Sequence, residues 1–183
     1  MDRNEPAPTA LTPEAQPLGN DVLPAAGQRV AQPARWKLPG FGPMAPIETD
    51  FGNFPAQTLR VRDRVRTRNG MFAQIVWLDR LVLNEDFMHR HPEAQPVLIR
   101  AGAIGLGMPK QDVLVSPGQM ICLGGGYGPR TNKLASELVG GGKAIRRPEP
   151  MFTYTLFHCG TPVEVHVDGV WMHVDPDFVR AFH

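Results

Sequence analysis

The sequence predicts an all-β fold, and three observations carry that prediction. Two hairpin signals stand where short runs of valine and aromatic residues alternate with polar ones: Asp168-Gly169 and Asn69-Gly70. Further strand-forming runs follow one another at short intervals, broken by Gly and Pro. Helical periodicity is confined to a few brief stretches.

The chain divides near Leu38. Residues 1–37 are rich in Pro, Ala and Gln, with no sustained period of 2 or 3.6. Such a segment buries too little apolar surface to offset its ordering entropy, so an unstructured leader is expected there. As a flexible coil its ends would lie on the order of 35 Å apart. Trp36 is the one residue of the leader suited to dock on the body. Residues 38–183 form the expected all-β domain.

Within it, Val163–Val174 reads VEVHV-DG-VWMHV. A two-residue Asp168-Gly169 loop sets Val167 opposite Val170, Val165 opposite Met172 and Val163 opposite Val174 on one apolar face. The other face pairs His166 with Trp171 and Glu164 with His173. Asn69-Gly70 predicts a second two-residue turn, joining strands over Leu59–Thr67 and Phe72–Leu78. Pro96–Arg100, Asp112–Ser116, Met120–Leu123 and Phe152–Phe157 complete the expected strands. The expected helical pieces are Asn132–Val139 and a C-terminal turn at Asp177–Phe182.

Composition bounds the function. The 183 residues carry a net charge of +1 and an ordinary apolar share, which calls for neither a nucleic acid nor a membrane partner. No run approaches the roughly 18 apolar residues of a spanning helix, and the N-terminus lacks the apolar centre of a signal peptide. A cytoplasmic location is expected. The two cysteines, Cys122 and Cys159, are read as reduced thiols.

Five segments occur in a distinctive order: GFGPMAPIET at Gly40–Thr49, LRVRDRVRTRNG at Leu59–Gly70, VLIRAGAIGLGMPKQDVLVSPGQM at Val97–Met120, ASELVGGGKAI at Ala135–Ile145, and YTLFHCGTPVEVHVDGVW at Tyr154–Trp171. Together they resemble the Hint (hedgehog/intein) family, most nearly its compact bacterial branch, over Leu38 to Val174. The resemblance implies a flattened all-β horseshoe of two pseudo-symmetric halves, and self-processing chemistry. In that family an opening Cys, sometimes Ser, attacks the carbonyl before it. A later Thr-x-x-His orients and protonates the departing amide.

This chain departs from the pattern at each reactive position. The family's Cys-Phe-x-Pro is matched by Gly40-Phe41-Gly42-Pro43, and no Cys, Ser or Thr lies between Arg35 and Glu48. Ser116-Pro117-Gly118-Gln119 stands for Thr-x-x-His, and the Gln119 amide is neither acid nor base. Thr161-Pro162-Val163 replaces the later His and acidic residue. The Gly-Asp pair of the first hairpin is Arg62-Asp63. Losing a nucleophile of this kind lowers a rate by on the order of a million-fold. No intact catalytic residue is therefore expected at the family-equivalent positions Gly40, Ser116 and Gln119. If only the reactive groups are missing, Gly40→Cys with Gln119→His should recover cleavage. The chain's end at His183 is read as a further sign against splicing.

Other motifs give weaker signals. His89-x-His91 suggests a metal pair, but Pro92 follows and no further ligand sits at a suitable spacing. Cys159 beside His158 would place thiol and base on opposite strand faces. The runs Gly124–Arg130 and Gly140–Lys143 miss the P-loop pattern, with Glu137 and Ala144 at its required ends, and are read as turns. Arg60, Arg62, Arg64, Arg66 and Arg68 alternate with other residues. A continuous strand would put all five on one face over about 27 Å, an anion-binding stripe or a solvated edge. The expected function is a Hint-type domain that has lost autoproteolysis and acts as a structural or protein-binding module. The alternatives are an active self-cleaving domain and an anion-binding module at the arginine face. No cofactor or metal is expected, and a protein is the expected class of partner.

Overall fold

A computed structural model describes residues 36–124 and 129–180, all within the unit Pro33–His183. Residues 1–35 of the expected leader, 1–37, lie outside the described residues, as do 125–128 of the first glycine run and 181–182 of the C-terminal turn.

The described chain is all-β, with thirteen short strands and two small helices. The strands are β1 (Pro46–Thr49), β2 (Gly52–Pro55), β3 (Arg64–Arg66), β4 (Phe72–Gln74), β5 (Trp77–Leu83), β6 (Val97–Ile99), β7 (Val113–Val115), β8 (Met120–Leu123), β9 (Thr131–Leu134), β10 (Ala144–Arg146), β11 (Phe152–His158), β12 (Val163–Val167) and β13 (Val170–Val174). The helices are α1 (Glu85–Arg90) and α2 (Asp177–Arg180). An antiparallel sheet runs β4-β3-β1-β12-β13-β8-β9, with β2 also paired to β1. A second runs β10-β6-β7, and β11 pairs with β5. No helix among the described residues is long and apolar enough to cross a membrane.

The Asp168-Gly169 hairpin forms in the expected register, from Val163↔Val174 to Val167↔Val170. Both loop residues have positive φ, 48° and 88°, as a type I′ turn requires. Val165, Val167, Val170, Met172 and Val174 are buried. Each fully buried aliphatic side chain contributes roughly 1.5–3 kcal/mol. This face joins a large core with Ile47, Val65, Ile99 and Ile121, while Leu83, Met88, Phe152, Tyr154 and Leu156 form a second cluster.

The structure corrects the first hairpin. Its strand is only Arg64–Arg66, because Arg62 takes φ 81° and the backbone turns at Arg60–Asp63, where the Asp63 N–H donates to the Arg60 carbonyl at 3.1 Å. The loop has three residues, Arg68-Asn69-Gly70, closed by the Thr67 N–H on the Met71 carbonyl at 2.8 Å. Gly70, at φ 84°, supplies the left-handed residue of a bulged turn. Trp77 and Leu78 belong to β5, which pairs with β11.

Residues expected as one helix over Asn132–Val139 are split between β9 and a 3-10 turn at Ala135–Leu138. Pairing of Asn132 with Cys122 and Lys133 with Ile121 outweighs the local helical preference. Unexpected from the sequence were α1, β1, β2 and β10. The cap of α1 was nevertheless written there: Asn84 Oδ1 accepts the Phe87 N–H at 2.9 Å, and Glu85 and Asp86 occupy the first turn.

Candidate functional site

Gly40–Gly42 passes between β7 and β11. Phe41 exchanges two backbone hydrogen bonds with Thr155, each 2.9 Å. The Gly42 N–H donates to the Leu114 carbonyl at 2.8 Å, and the Ser116 N–H donates to the Gly40 carbonyl at 2.9 Å. Gly40 thus lies buried among backbone on two sides, at φ 155°. A Cβ there would stand 3.0 Å from the Cβ of Tyr154 and 3.4 Å from its Cγ. Tyr154 is itself fully buried, its hydroxyl donating to the Ala94 carbonyl at 2.9 Å. Position 40 therefore accommodates glycine both sterically and conformationally.

The turn Ser116–Gln119 closes over this passage, with both side chains fully buried. The Ser116 hydroxyl donates to the Leu38 carbonyl and accepts from the Trp36 indole N–H at 3.0 Å and the Gly118 N–H at 3.4 Å. Its one proton and both lone pairs are engaged. Gln119 Oε1 accepts the Gly40 N–H at 3.1 Å, while Nε2 donates to the carbonyls of His173 at 2.8 Å and Met120 at 3.2 Å. These three partners fix the amide orientation and satisfy a buried polar group. The arrangement binds backbone through a carboxamide, which has no titratable proton.

A shallow cleft beside Gly40 is lined by Pro39, Gln119, His173 and Phe178. His173 Nε2 lies 3.5 Å from Asp175 Oδ2. His158 stacks on Trp77 with ring centroids 5.5 Å apart. Burial lowers the His158 pKa, with Asp175 opposing the shift. Sequence reasoning missed the nearness of His173 to Gln119, although the hairpin register had already fixed its face. Burial pushes the thiol of Cys159 up to about 11, and burial together with Glu164 pushes Cys122 up to about 12. Both cysteines are free, and neither is poised as a nucleophile.

The five-arginine stripe does not form, because Arg60 and Arg62 sit in the turn before β3. The others meet carboxylates: Arg64 with Asp50 at 3.6 Å, Arg66 with Glu48 at 3.2 Å and Arg68 with Glu164 at 2.8 Å. Arg68 also lies over Trp171, 5.9 Å from its centroid. Burial raises the Glu164 pKa, but the Arg68 hydrogen bond and charge outweigh it and the net shift is downward. His89 and His91 fall at the end of α1, where His91 Nδ1 lies 2.9 Å from Glu93 Oε1. Among the described residues no cluster of three His, Cys, Asp or Glu side chains is placed to hold a metal ion.

A sequence model described as the Hint domain matches residues 39–173. No curated protein matches the chain. Among solved structures it is similar to the crystal structure of the MchDnaB-1 intein, at TM-score 0.47 and 11% identity, covering 74% of this chain and 99% of that one. It is likewise similar to the gp41-1 intein, at TM-score 0.47 and 10% identity, covering 74% and 98%.

Proposed function

The chain belongs to the Hint domain family, and from that premise we propose that it is a member without self-cleavage, serving as a structural or protein-binding module. One observation carries the reading. Gly40, which we read as the position of the family's nucleophile, has no side chain, and its amide is held by the unreactive side chain of Gln119 at 3.1 Å. The reaction requires an atom that adds to the carbonyl of residue 39 and a group that protonates the departing nitrogen. Position 40 has no side chain, and the carboxamide of Gln119 has no titratable proton. Gln119 thus holds the backbone at Gly40 without supplying either reacting group. Pairing of Arg64, Arg66 and Arg68 with carboxylates weighs against an anion-binding role.

The test is an intact-mass measurement on a fusion carrying a folded tag at the N-terminus of the full chain, incubated with thiol or hydroxylamine. The expected outcome is a single species over days. Fragments meeting at the Pro39–Gly40 bond would refute the reading.

A further inference from the structure

The residues around Ser116 read the chain ahead of Gly40 at several separate points. The Ser116 hydroxyl contacts both the Trp36 indole N–H, at 3.0 Å, and the Leu38 carbonyl. The Trp36 ring meets Phe87 edge-on, with centroids 5.9 Å apart. Leu38 packs on the cluster formed by Leu83, Phe152 and Tyr154. Gly118 forms the floor. A Cβ there would stand 2.5 Å from the Leu38 oxygen and the Lys37 carbonyl carbon, and 2.6 Å from the Lys37 oxygen. Such distances involve backbone on the far side, so only glycine lets the segment lie this close.

We propose that the turn Ser116–Gln119 is a peptide-binding site for an extended segment carrying a tryptophan two residues before a leucine, occupied in this chain by its own Trp36–Pro39. The inference rests on reading the domain as a protein-binding module, and it names the ligand of that same site. Specificity comes from one hydroxyl that recognises a side-chain donor and a main-chain acceptor of the ligand together. An aromatic ring without an N–H would fill the space beside Phe87 but leave a Ser116 lone pair unpaired. A side chain at position 118 would lift the whole segment off its floor. The upstream chain is thereby gripped by side-chain recognition as well as by its covalent link.

The test uses the full chain and reads trypsin cleavage after Lys37, whose side chain is exposed while its backbone rests on Gly118. Cleavage of such a bond tracks the fraction of time the segment is released. Trp36→Phe and Ser116→Ala should each speed cleavage after Lys37 roughly tenfold, while the body keeps a single cooperative melting transition with its midpoint lowered by only a few degrees. The indole N–H signal of Trp36 should exchange slowly in the parent chain and fast in Ser116→Ala. Cleavage at the parent rate in both variants would overturn the proposal. So would loss of the body's cooperative melting in both, since the segment would then be core rather than ligand. Self-cleavage at Pro39–Gly40 would give a different fragment mass, so failure of the processing reading is distinguishable from failure of this one.

Discussion

Gly40 and Tyr154 approach so closely that a side-chain carbon at position 40 would lie 3.0 Å from the Tyr154 Cβ. That contact involves the first atom of the tyrosine side chain, which any residue but glycine retains. The crowding is therefore set by the spacing of backbones, which Phe41 and Thr155 fix by two hydrogen bonds.

Restoring a nucleophile should consequently fail. Recovery of cleavage in Gly40→Cys with Gln119→His was conditional on only the reactive groups being missing, and the crowding at position 40 argues against that condition. Gly40→Cys, alone or in the pair, is predicted to stay uncut in the presence of thiol and to lose about 1–3 kcal/mol. For a body of this size that corresponds to a fall in Tm of roughly 2–4 °C per kcal/mol. Intact-mass spectrometry and thermal melting check the two parts. A thiol-dependent cut in the pair would show that the strand can shift outward after all.

The cysteines give a prediction in pH. Folding raises Cys122 from its ordinary 9.0 to about 12 and Cys159 from 9.0 to about 11. The unfolded thiols lose their protons first, so stability is full below about pH 9 and falls as pH climbs toward the folded values. Denaturant midpoints measured from pH 8 to pH 11 should decline, and a variant with both cysteines changed to alanine should decline less. At pH 8 a disulfide reagent should modify Cys122 only after denaturation, and its rapid modification in the folded chain would contradict its burial.

The arginine pairs make a third. With Arg64, Arg66 and Arg68 each facing a carboxylate, affinity for duplex DNA or heparin should be weak and nearly independent of salt. Titration across a salt series reads this directly, and a steep slope would revive the anion-binding reading. Arg68→Met should cost about 1–3 kcal/mol, because it strands the half-buried Glu164 carboxylate.

How much of this was legible in the residues varies with the range of the interaction that decides it. The Asp168-Gly169 hairpin was readable to the residue, since a two-residue turn and strict alternation leave one register. The glycine at position 40 is plain in the sequence, but its closeness to Tyr154 is not. The arginine stripe was not. Alternation extended through Leu59–Thr67, but Arg62 turned under a tertiary constraint, its N–H donating to the Ile75 carbonyl at 2.8 Å. The 3-10 turn after β9 and the pairing of β5 with β11 likewise depend on distant partners. The double contact of Ser116 with Trp36 and Leu38 spans about eighty residues of sequence, and no local pattern announces it.

The Asp168-Gly169 turn also rests against a distant loop. The Asp168 carboxylate accepts the Gln111 N–H at 2.9 Å, 57 residues away, and a Cβ at Gly169 would strike the Met108 sulfur at 2.2 Å. A hairpin that zipped up one step out of phase would present the wrong residue to both neighbours at once. Misassembly of the last two strands is thus sensed elsewhere in the molecule, and proofreading of the sheet is shared with a loop that forms no part of it.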